Sequence, residues 1–223
     1  MRVKSLRLTL LGVGAMNSPR YAPAGLLVEC GTARVMIDGG PGAEPKREVV
    51  VWLVTDQRGE LIREIRKLAR PRGLEPIVTS YLSNPVSITP HNVVHTAHDT
   101  YGYVIRFYRK KIVWAPEFLL FPTWAKGAHL MFAEAAGWNR PILFRGGAGG
   151  HASVEQVASD AQKNKIKKLV FAHIGRPTIK AMDAGKLPLF GELAEDGAVF
   201  KIVVNSGSVA TYPRKLMKPA AQN

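Results

Sequence analysis

Cysteine is nearly absent from this chain of 223 residues, in which Cys30 is the single example. One cysteine excludes an internal disulfide framework and any zinc site built mainly from cysteines. Long apolar runs are also missing, because no segment reaches the roughly 18 consecutive apolar residues that span a bilayer. The leucine-rich segment 6–13 is interrupted by Arg7, and no small-residue cleavage site follows it. We therefore expect a cytoplasmic protein that does not insert into membranes.

Acidic residues are scarce relative to basic ones. Asp and Glu number 17 against 31 Lys and Arg, which leaves a formal net charge of +14. Such a charge favours anionic partners, so we expect either an anionic small molecule or a nucleic acid as substrate or ligand. The 46% of hydrophobic residues excludes a disordered chain. The length suits one domain over residues 1–223.

Hydrophobic periodicity predicts a mixed α/β protein in which strands come first and later alternate with helices. One predicted helix covers 61–69 and ends before Pro71, and a second begins at the capping box Ser153–Gln156. The predicted strands are 6–10, 25–30, 34–38, 49–54, 77–79, 93–95, 103–108, 111–114, 129–133, 167–171, 199–204 and 209–212.

Several polar side chains stand where predicted strands end. They are Asp38, His95, Glu117, Glu134, His151 and His173. Each histidine alone is explained by an ordinary structural hydrogen bond. Polar groups at the ends of neighbouring strands share one sheet edge, where ligands bind in open α/β sheets. The shared placement therefore predicts one common site.

Seven segments, in order, resemble the metallo-β-lactamase superfamily, most closely its ribonuclease Z and cyclic-phosphodiesterase branch. They are 8–14, 35–40, 95–105, 111–117, 130–135, 150–153 and 168–174. The resemblance extends over roughly residues 5 to 177. It implies a four-layer αββα sandwich of two mixed β-sheets, the metallo-β-lactamase fold.

The chain departs from that family at its metal-binding motif, Thr-His-x-His-x-Asp-His. The segment 55–61 reads Thr-Asp-Gln-Arg-Gly-Glu-Leu. Asp56 and Arg58 therefore stand where the resemblance implies the two histidines of a first metal. Glu60 and Leu61 replace the aspartate and the last histidine, and Glu117 replaces the aspartate that bridges two metals.

These replacements alter the metal site that the resemblance implies. Arg58 is a permanent cation, so it cannot be a ligand and would repel a dication. A dinuclear zinc site is therefore not expected. One divalent metal remains an option, and its oxygen-rich ligands would suit manganese, iron or magnesium better than zinc. The candidate ligands are Glu60, Glu117 and His173, with His95 or Asp56 nearby. The other option is no metal, with Arg58 paired to Asp56, Glu60 or Glu117.

Glu134 and His151 match family positions that work together in proton transfer to a leaving group. His151 could act as a general acid, because a neighbouring carboxylate raises the proton affinity of an imidazole. The alternative is a structural Glu–His hydrogen bond that supports the glycine-rich loop 146–150. Both interpretations stay open at this stage. Arg58 and Arg176 would favour an anionic group in the same pocket.

A local metal cluster of His91, His95 and His98 is a further reading of the sequence. A strand through Val93 and Val94 would place His91 and His95 on one face and His98 on the other. The strand prediction therefore argues against this local cluster.

Two functions follow from the sequence. The first is a divergent hydrolase of a phosphodiester or other anionic ester, with His151 and Glu134 as catalytic pair. The second is a catalytically inactive protein of the same fold that binds nucleic acid or an anionic ligand. The lost motif favours the second, and the retained Glu134 and His151 favour the first.

Overall fold

The computed structural model describes residues 5–203, and in this range the strands form two large mixed sheets. The first sheet contains β1 (Ser5–Gly12), β2 (Gly25–Cys30), β3 (Ala33–Asp38), β4 (Val51–Leu53) and β14 (Val199–Val203). Its strand order is β14-β1-β2-β3-β4. The β3–β4 pair is parallel and the other pairs are antiparallel.

The second sheet is larger and contains most of the strands whose ends form the site. Its members are β5 (Tyr81–Ser83), β6 (Val86–Val93), β7 (Thr100–Phe107), β8 (Lys110–Ala115), β9 (Leu130–Ala135), β12 (Leu169–Ile174) and β13 (Glu192–Leu193). Their order is β13-β12-β9-β8-β7-β6-β5, and the pairs from β13 to β8 are parallel. A small hairpin pairs β10 (Ile142–Leu143) with β11 (Gly150–His151).

The helices cover the outer faces of the two sheets. They are α1 (Ile62–Ala69), α2 (Val154–Lys163) and α3 (Arg176–Asp183), with 3₁₀ turns at Arg70–Arg72, Thr123–Ala125 and Arg145–Gly147. Ile62 and Ile65 of α1 pack on Met36 and Trp52 of the first sheet. Helix α2 packs on β9 and β12 of the second sheet. None of the helices between residues 5 and 203 is long and apolar enough to cross a bilayer.

The core lies between the sheets and follows the hydrophobic pattern. Leu6, Leu8 and Leu10 are fully buried on the inner face of β1, while the residues between them are more exposed. Strands β9 and β12 are buried at every position, as expected for parallel strands that are covered on both faces. The predicted α/β sandwich with four layers, helix–sheet–sheet–helix, is therefore confirmed.

The structure confirms the predicted cap of one helix and corrects two of the predicted strands. The Ser153 hydroxyl accepts a hydrogen bond from the Gln156 backbone N–H at 3.2 Å, which confirms the predicted cap of α2. The predicted strand 77–79 is wrong, because Ile77 forms only an isolated bridge to Leu53 at the edge of β4. The predicted strand 49–54 is shortened to Val51–Leu53.

The C-terminal part of the described range contains a helix that periodicity did not predict. Helix α3 buries only Thr178, Ile179 and Ala181, so its apolar stripe is short. It begins with Pro177 in its first turn, a position that favours helix initiation. The predicted strand 209–212 lies outside the described residues.

The buried leucines of β1 provide a test of the sandwich. Leu10→Ala should reduce the free energy of unfolding by about 2–5 kcal/mol, because it removes a fully buried side chain from between the sheets. The matched control is Leu189→Ala, since Leu189 is 92% exposed and its loss should change stability by less than about 0.5 kcal/mol. Urea denaturation measures both. An equal loss of unfolding free energy at the two positions would contradict this packing.

Candidate active site

A cavity of about 620 Å³ opens where the strands of the two sheets end. Asp38 ends β3, Asp56 follows β4, Glu117 follows β8 and His173 lies near the end of β12. The predicted site residues that line this cavity are Asp38, Asp56, Arg58, Glu60, His95, Glu117, His151, His173 and Arg176. The structure therefore brings together side chains that are far apart in sequence.

Glu134 is the fully buried carboxylate behind the cavity. Its Oε1 accepts hydrogen bonds from the Ala136 backbone N–H at 2.9 Å and from Nδ1 of His173 at 3.0 Å. Its Oε2 accepts from the Phe118 backbone N–H at 3.1 Å and from Nδ1 of His151 at 2.7 Å. These donors satisfy both oxygens and fix two imidazoles against one carboxylate.

His173 lies between two carboxylates. Its Nδ1 faces Glu134, and its Nε2 lies 2.8 Å from Oε1 of Glu117. Burial alone would lower the pKa of His173, but the charges of Glu117 and Glu134 and the hydrogen bonds to both raise it to about 10. Because ionised carboxylates only accept hydrogen bonds, both ring nitrogens carry protons in this arrangement.

The pKa values of the two carboxylates, Glu117 and Glu134, shift in the opposite direction. Burial alone would raise the pKa of Glu117, but the charge of His173 and the hydrogen bond to it, with smaller effects of other histidines, lower it to about 2. Burial also opposes ionisation of Glu134. The charges of His151 and His173, and hydrogen bonds to both, outweigh it and lower the pKa of Glu134 to about 2. The cluster is therefore ionised and internally paired at neutral pH.

His151 directs one edge of its ring toward Glu134, which fixes the proton on Nδ1. Its Nε2 has no hydrogen-bond partner among the described residues 5–203. The ring centroid of His151 lies 4.7 Å from that of His95 and 5.2 Å from that of His173. His151 can therefore exchange a proton through Nε2 beside the other imidazoles.

The glycine-rich loop holds His95. The Gly150 backbone N–H donates to the His95 carbonyl at 2.8 Å, and the Gly150 carbonyl lies 3.0 Å from Nδ1 of His95. Gly149 has φ +131°, and a Cβ there would collide with the His95 backbone. A carbonyl only accepts, so Nδ1 of His95 carries the proton. Its Nε2 lies 3.8 Å from Oε2 of Glu117.

Asp38 lines the cavity and connects the strands around it through hydrogen bonds. Its Oδ1 accepts hydrogen bonds from the Thr55 backbone N–H at 2.7 Å and from the Thr55 hydroxyl at 2.9 Å. Its Oδ2 accepts from Nε1 of Trp114 at 2.7 Å. Burial raises the pKa of Asp38 to about 7, although these hydrogen bonds oppose the shift. Asp38 therefore links the ends of β3, β4 and β8.

His98 also lines the cavity, although a strand through Val93 and Val94 would place it on the opposite face from His95. Strand β6 ends at Val93, and residues 95–98 form a bend, so strand alternation does not continue to His98. Its Nε2 lies 2.9 Å and 3.0 Å from the two carboxylate oxygens of Asp56. Asp56 is therefore the partner of His98 and is not grouped with Glu117 and His173.

The arginines of the cavity are exposed and lack carboxylate partners. Within residues 5–203, neither Arg58 nor Arg176 forms an ion pair. The optional pairing of Arg58 with Asp56, Glu60 or Glu117 does not occur within this range, where Asp56 and Glu117 pair with histidines. Glu60 is exposed at the rim. The rim consequently carries two guanidinium groups that are free to bind an anion.

The donor atoms decide which metal centre these residues could hold. By distance alone, the group in residues 5–203 that could hold an ion is Glu134, His151 and His173, with ligand atoms within 4.8 Å of one another. Both oxygens of Glu134 already accept two hydrogen bonds each. An ion on Glu134 would have to displace these donors, so this group fits a metal poorly.

A second set of possible donors lies around Glu117, although its ligand atoms do not all come within 4.8 Å of one another. His95 and His173 both have Nδ1 bonded to an oxygen acceptor, which directs Nε2 of each toward Glu117. Such bonds orient imidazole ligands in metal sites, and two imidazoles with one carboxylate are a common ligand set. Arg58 and Leu61 offer no donor at the positions where the resemblance implies histidines of a first ion.

Comparisons with known proteins identify the fold. No family model and no curated protein matches the sequence. The metallo-β-lactamase fold protein YhfI from Bacillus subtilis matches with TM-score 0.68 and 15% identity, over 89% of this chain and 99% of that chain. A diphosphatase of the PhnP family gives TM-score 0.65 and 18% identity, over 89% and 98%. The short form of human tRNase Z gives TM-score 0.59 and 14% identity, over 86% of this chain and 98% of that chain.

The architecture and these structural matches define one class. The chain has the metallo-β-lactamase fold, as the resemblance of its segments implied. At such low sequence identities the match concerns the fold, and the chemistry has to be argued from the side chains.

The ion-paired His173 predicts a pH dependence of stability. Its pKa rises from 6.5 to about 10 on folding, so its stabilisation is complete below pH 6.5 and is lost as the pH rises through 10. In metal-free protein with chelator, His173→Gln should cost about 3–5 kcal/mol at pH 6, because two buried carboxylates lose their shared cation.

Urea denaturation between pH 6 and pH 10 checks this expectation. Stability of the wild type should decline across the window set by the two pKa values, and that of His173→Gln should decline much less, with only the loss below about pH 7 that ionisation of Asp38 causes in both. The control is His129→Gln, outside the cavity, which should retain the wild-type decline. The same decline in His173→Gln would show that another group causes it.

Proposed function

We propose that this protein is a hydrolase of a phosphodiester or another anionic ester. The observation that carries the proposal is the Glu134–His151 pair, which presents a free imidazole nitrogen to a cavity with two unpaired arginines. Two of the structurally similar proteins are named as a diphosphatase and a tRNase Z, which supports a phosphate ester as substrate.

Arg58 and Arg176 bind the anionic group in this proposal. Both are exposed at the cavity and have no carboxylate to neutralise them within residues 5–203. Guanidinium groups bind phosphate oxygens with paired, charge-assisted hydrogen bonds. The carboxylates deeper in the cavity are paired with His98 and His173, so they oppose an anion less than free carboxylates would.

His151 is the general acid. Glu134 holds its Nδ1–H at 2.7 Å, which leaves Nε2 as the nitrogen that can deliver a proton. When the ester bond breaks, the Nε2 proton passes to the leaving oxygen, and Glu134 keeps the ring oriented through the transfer.

One divalent metal ion is the proposed cofactor, held by His95, Glu117 and His173. Such an ion, when bound, supplies a water of lowered pKa as nucleophile. Glu60 at the rim is an additional oxygen donor that could approach from α1's side. The mixed nitrogen and oxygen donors suit manganese, iron or zinc better than magnesium, which prefers oxygen ligands.

Metal binding should release protons. At pH 7 His173 is protonated, because its pKa is raised to about 10. An ion at Nε2 must displace that proton, so titration with Mn²⁺ or Zn²⁺ should release about one proton per ion. Calorimetry in two buffers of different ionisation enthalpy measures the number.

The matched variants separate the proposed ligand from other histidines. His173→Gln should weaken binding at least tenfold and abolish the proton release. His91→Gln, which lies outside the cavity, should bind like the wild type. Tight binding that His173→Gln leaves unchanged would remove His173 from the ligand set.

The general acid can be tested with two leaving groups. His151→Asn should reduce kcat by about 10²–10⁴-fold for a phosphodiester with an alkyl leaving group, which needs a proton to depart. The loss should be much smaller for a 4-nitrophenyl ester, whose leaving group departs as a stable anion. Steady-state hydrolysis of both esters measures the ratio.

His91→Asn is the control and should leave both rates unchanged. Equal losses on the two esters in His151→Asn would exclude proton donation by His151. A protein that hydrolyses neither ester but binds an oligonucleotide with strongly salt-dependent affinity would favour a second function. That function is anion or nucleic-acid binding without catalysis, and the direct pairing of Glu117 with His173 favours it.

A further inference from the structure

The Asp56–His98 pair is a second imidazole–carboxylate dyad in the same cavity. Nε2 of His98 lies within 3.0 Å of both Asp56 oxygens. A carboxylate only accepts hydrogen bonds, so Nε2 carries the proton and donates it. Nδ1 of His98 then has a lone pair, and it makes no hydrogen bond within residues 5–203. The side chain is 28% exposed and lines the cavity.

Backbone contacts fix this dyad in place. The Arg58 backbone N–H donates to Oδ1 of Asp56 at 2.7 Å, which fixes the carboxylate. The Thr96 hydroxyl donates to the His98 carbonyl at 3.0 Å. The Tyr101 backbone N–H donates to the Thr55 carbonyl at 2.9 Å and ties the two segments together. The dyad is therefore positioned before any ligand binds.

The other cavity histidines are less suited to accept a proton. His173 faces a carboxylate with each ring nitrogen, so neither nitrogen is free. His151 is assigned to the leaving group, and Nε2 of His95 is directed at Glu117. His98 is thus the cavity histidine with an oriented ring and an unused lone pair.

We infer that His98, oriented by Asp56, is the general base of this site and takes a proton from the attacking water. The inference rests on the proposed hydrolase function and adds a second proton-transfer pair to it. One carboxylate of the two pairs follows β4 of the first sheet, and the other lies in β9 of the second.

The proposed step balances in atoms and charge. A water O–H bond breaks, its proton goes to Nδ1 of His98, and the water oxygen forms a bond to phosphorus. The bond from phosphorus to the leaving oxygen breaks, and that oxygen receives the Nε2 proton of His151. His98 then returns its proton to solvent, and His151 takes one from solvent.

The test uses His98→Ala with added imidazole on the full chain. We expect kcat for bis(4-nitrophenyl) phosphate to fall at least 50-fold with KM changed less than threefold. Added imidazole should restore activity in proportion to its concentration, because the missing ring leaves space open to solvent. Substituted imidazoles of higher pKa should rescue better, which a purely structural histidine would not show.

Two further variants keep the test decisive. Asp56→Asn should lower kcat at least tenfold, because an amide can also stabilise the wrong tautomer of His98, and imidazole should not rescue it. His91→Ala, outside the cavity, should keep full activity and show no imidazole effect. Thermal unfolding of each variant reports whether it folds. If His98→Ala does not fold, the activity of Asp56→Asn decides the test.

The outcomes separate the inference from the function on which it rests. An active wild type with His98→Ala or Asp56→Asn within threefold of it overturns the general base and leaves the hydrolase standing. Loss of activity in folded His98→Ala without imidazole rescue also overturns it. A wild type that hydrolyses neither phosphodiesters nor other anionic esters overturns the proposed function, and the inference falls with it.

Discussion

The buried carboxylate of Glu134 is the constraint on which the candidate site depends. A charge without contact to water is tolerated only when hydrogen bonds and a counter-charge replace its hydration. Two backbone amides and two imidazoles do so here, and they come from the segments after β8 and β9 and from β11 and β12. Folding of the second sheet therefore places His151 and His173 without help from a ligand.

This constraint also sets the charge that a ligand would meet. Glu134 and Glu117 have their charges offset by the His173 imidazolium between them, and Asp56 is paired with His98. The His173 imidazolium thus offsets part of the acidic charge within the site, while Arg58 and Arg176 stay unpaired at its rim within the described range. The two guanidinium groups at the rim and the net charge of +14 would both attract the anionic ligand of the proposed function.

Sequence reasoning located most of the fold and the centre of the site for a physical reason. Strands such as β1 and β12 have strong patterns, and polar residues directly after them must gather at one edge. His98 was missed because its position depends on a bend after β6, which alternation cannot foresee. Helix α3 was missed because its apolar stripe is short. The option of an Arg58–Asp56 ion pair could not be decided from the sequence, because tertiary contacts determine side-chain pairing. In the structure Asp56 pairs with His98.

The histidines that the resemblance implied are absent from segment 55–61, yet the cavity still holds several titratable side chains. Arg58 and Leu61 remove donors for a first ion, yet Asp56 uses its carboxylate to orient an imidazole from another loop. An imidazole that accepts a proton can perform part of the task of an ion that acidifies water, since both make water a better nucleophile. A site with one proposed ion position and two imidazole–carboxylate pairs would suit a hydrolysis that depends less on metal and more on proton transfer. The retained pairing of Glu134 with both His151 and His173 is what couples these two contributions, because one carboxylate orients the proton donor and a proposed ligand together.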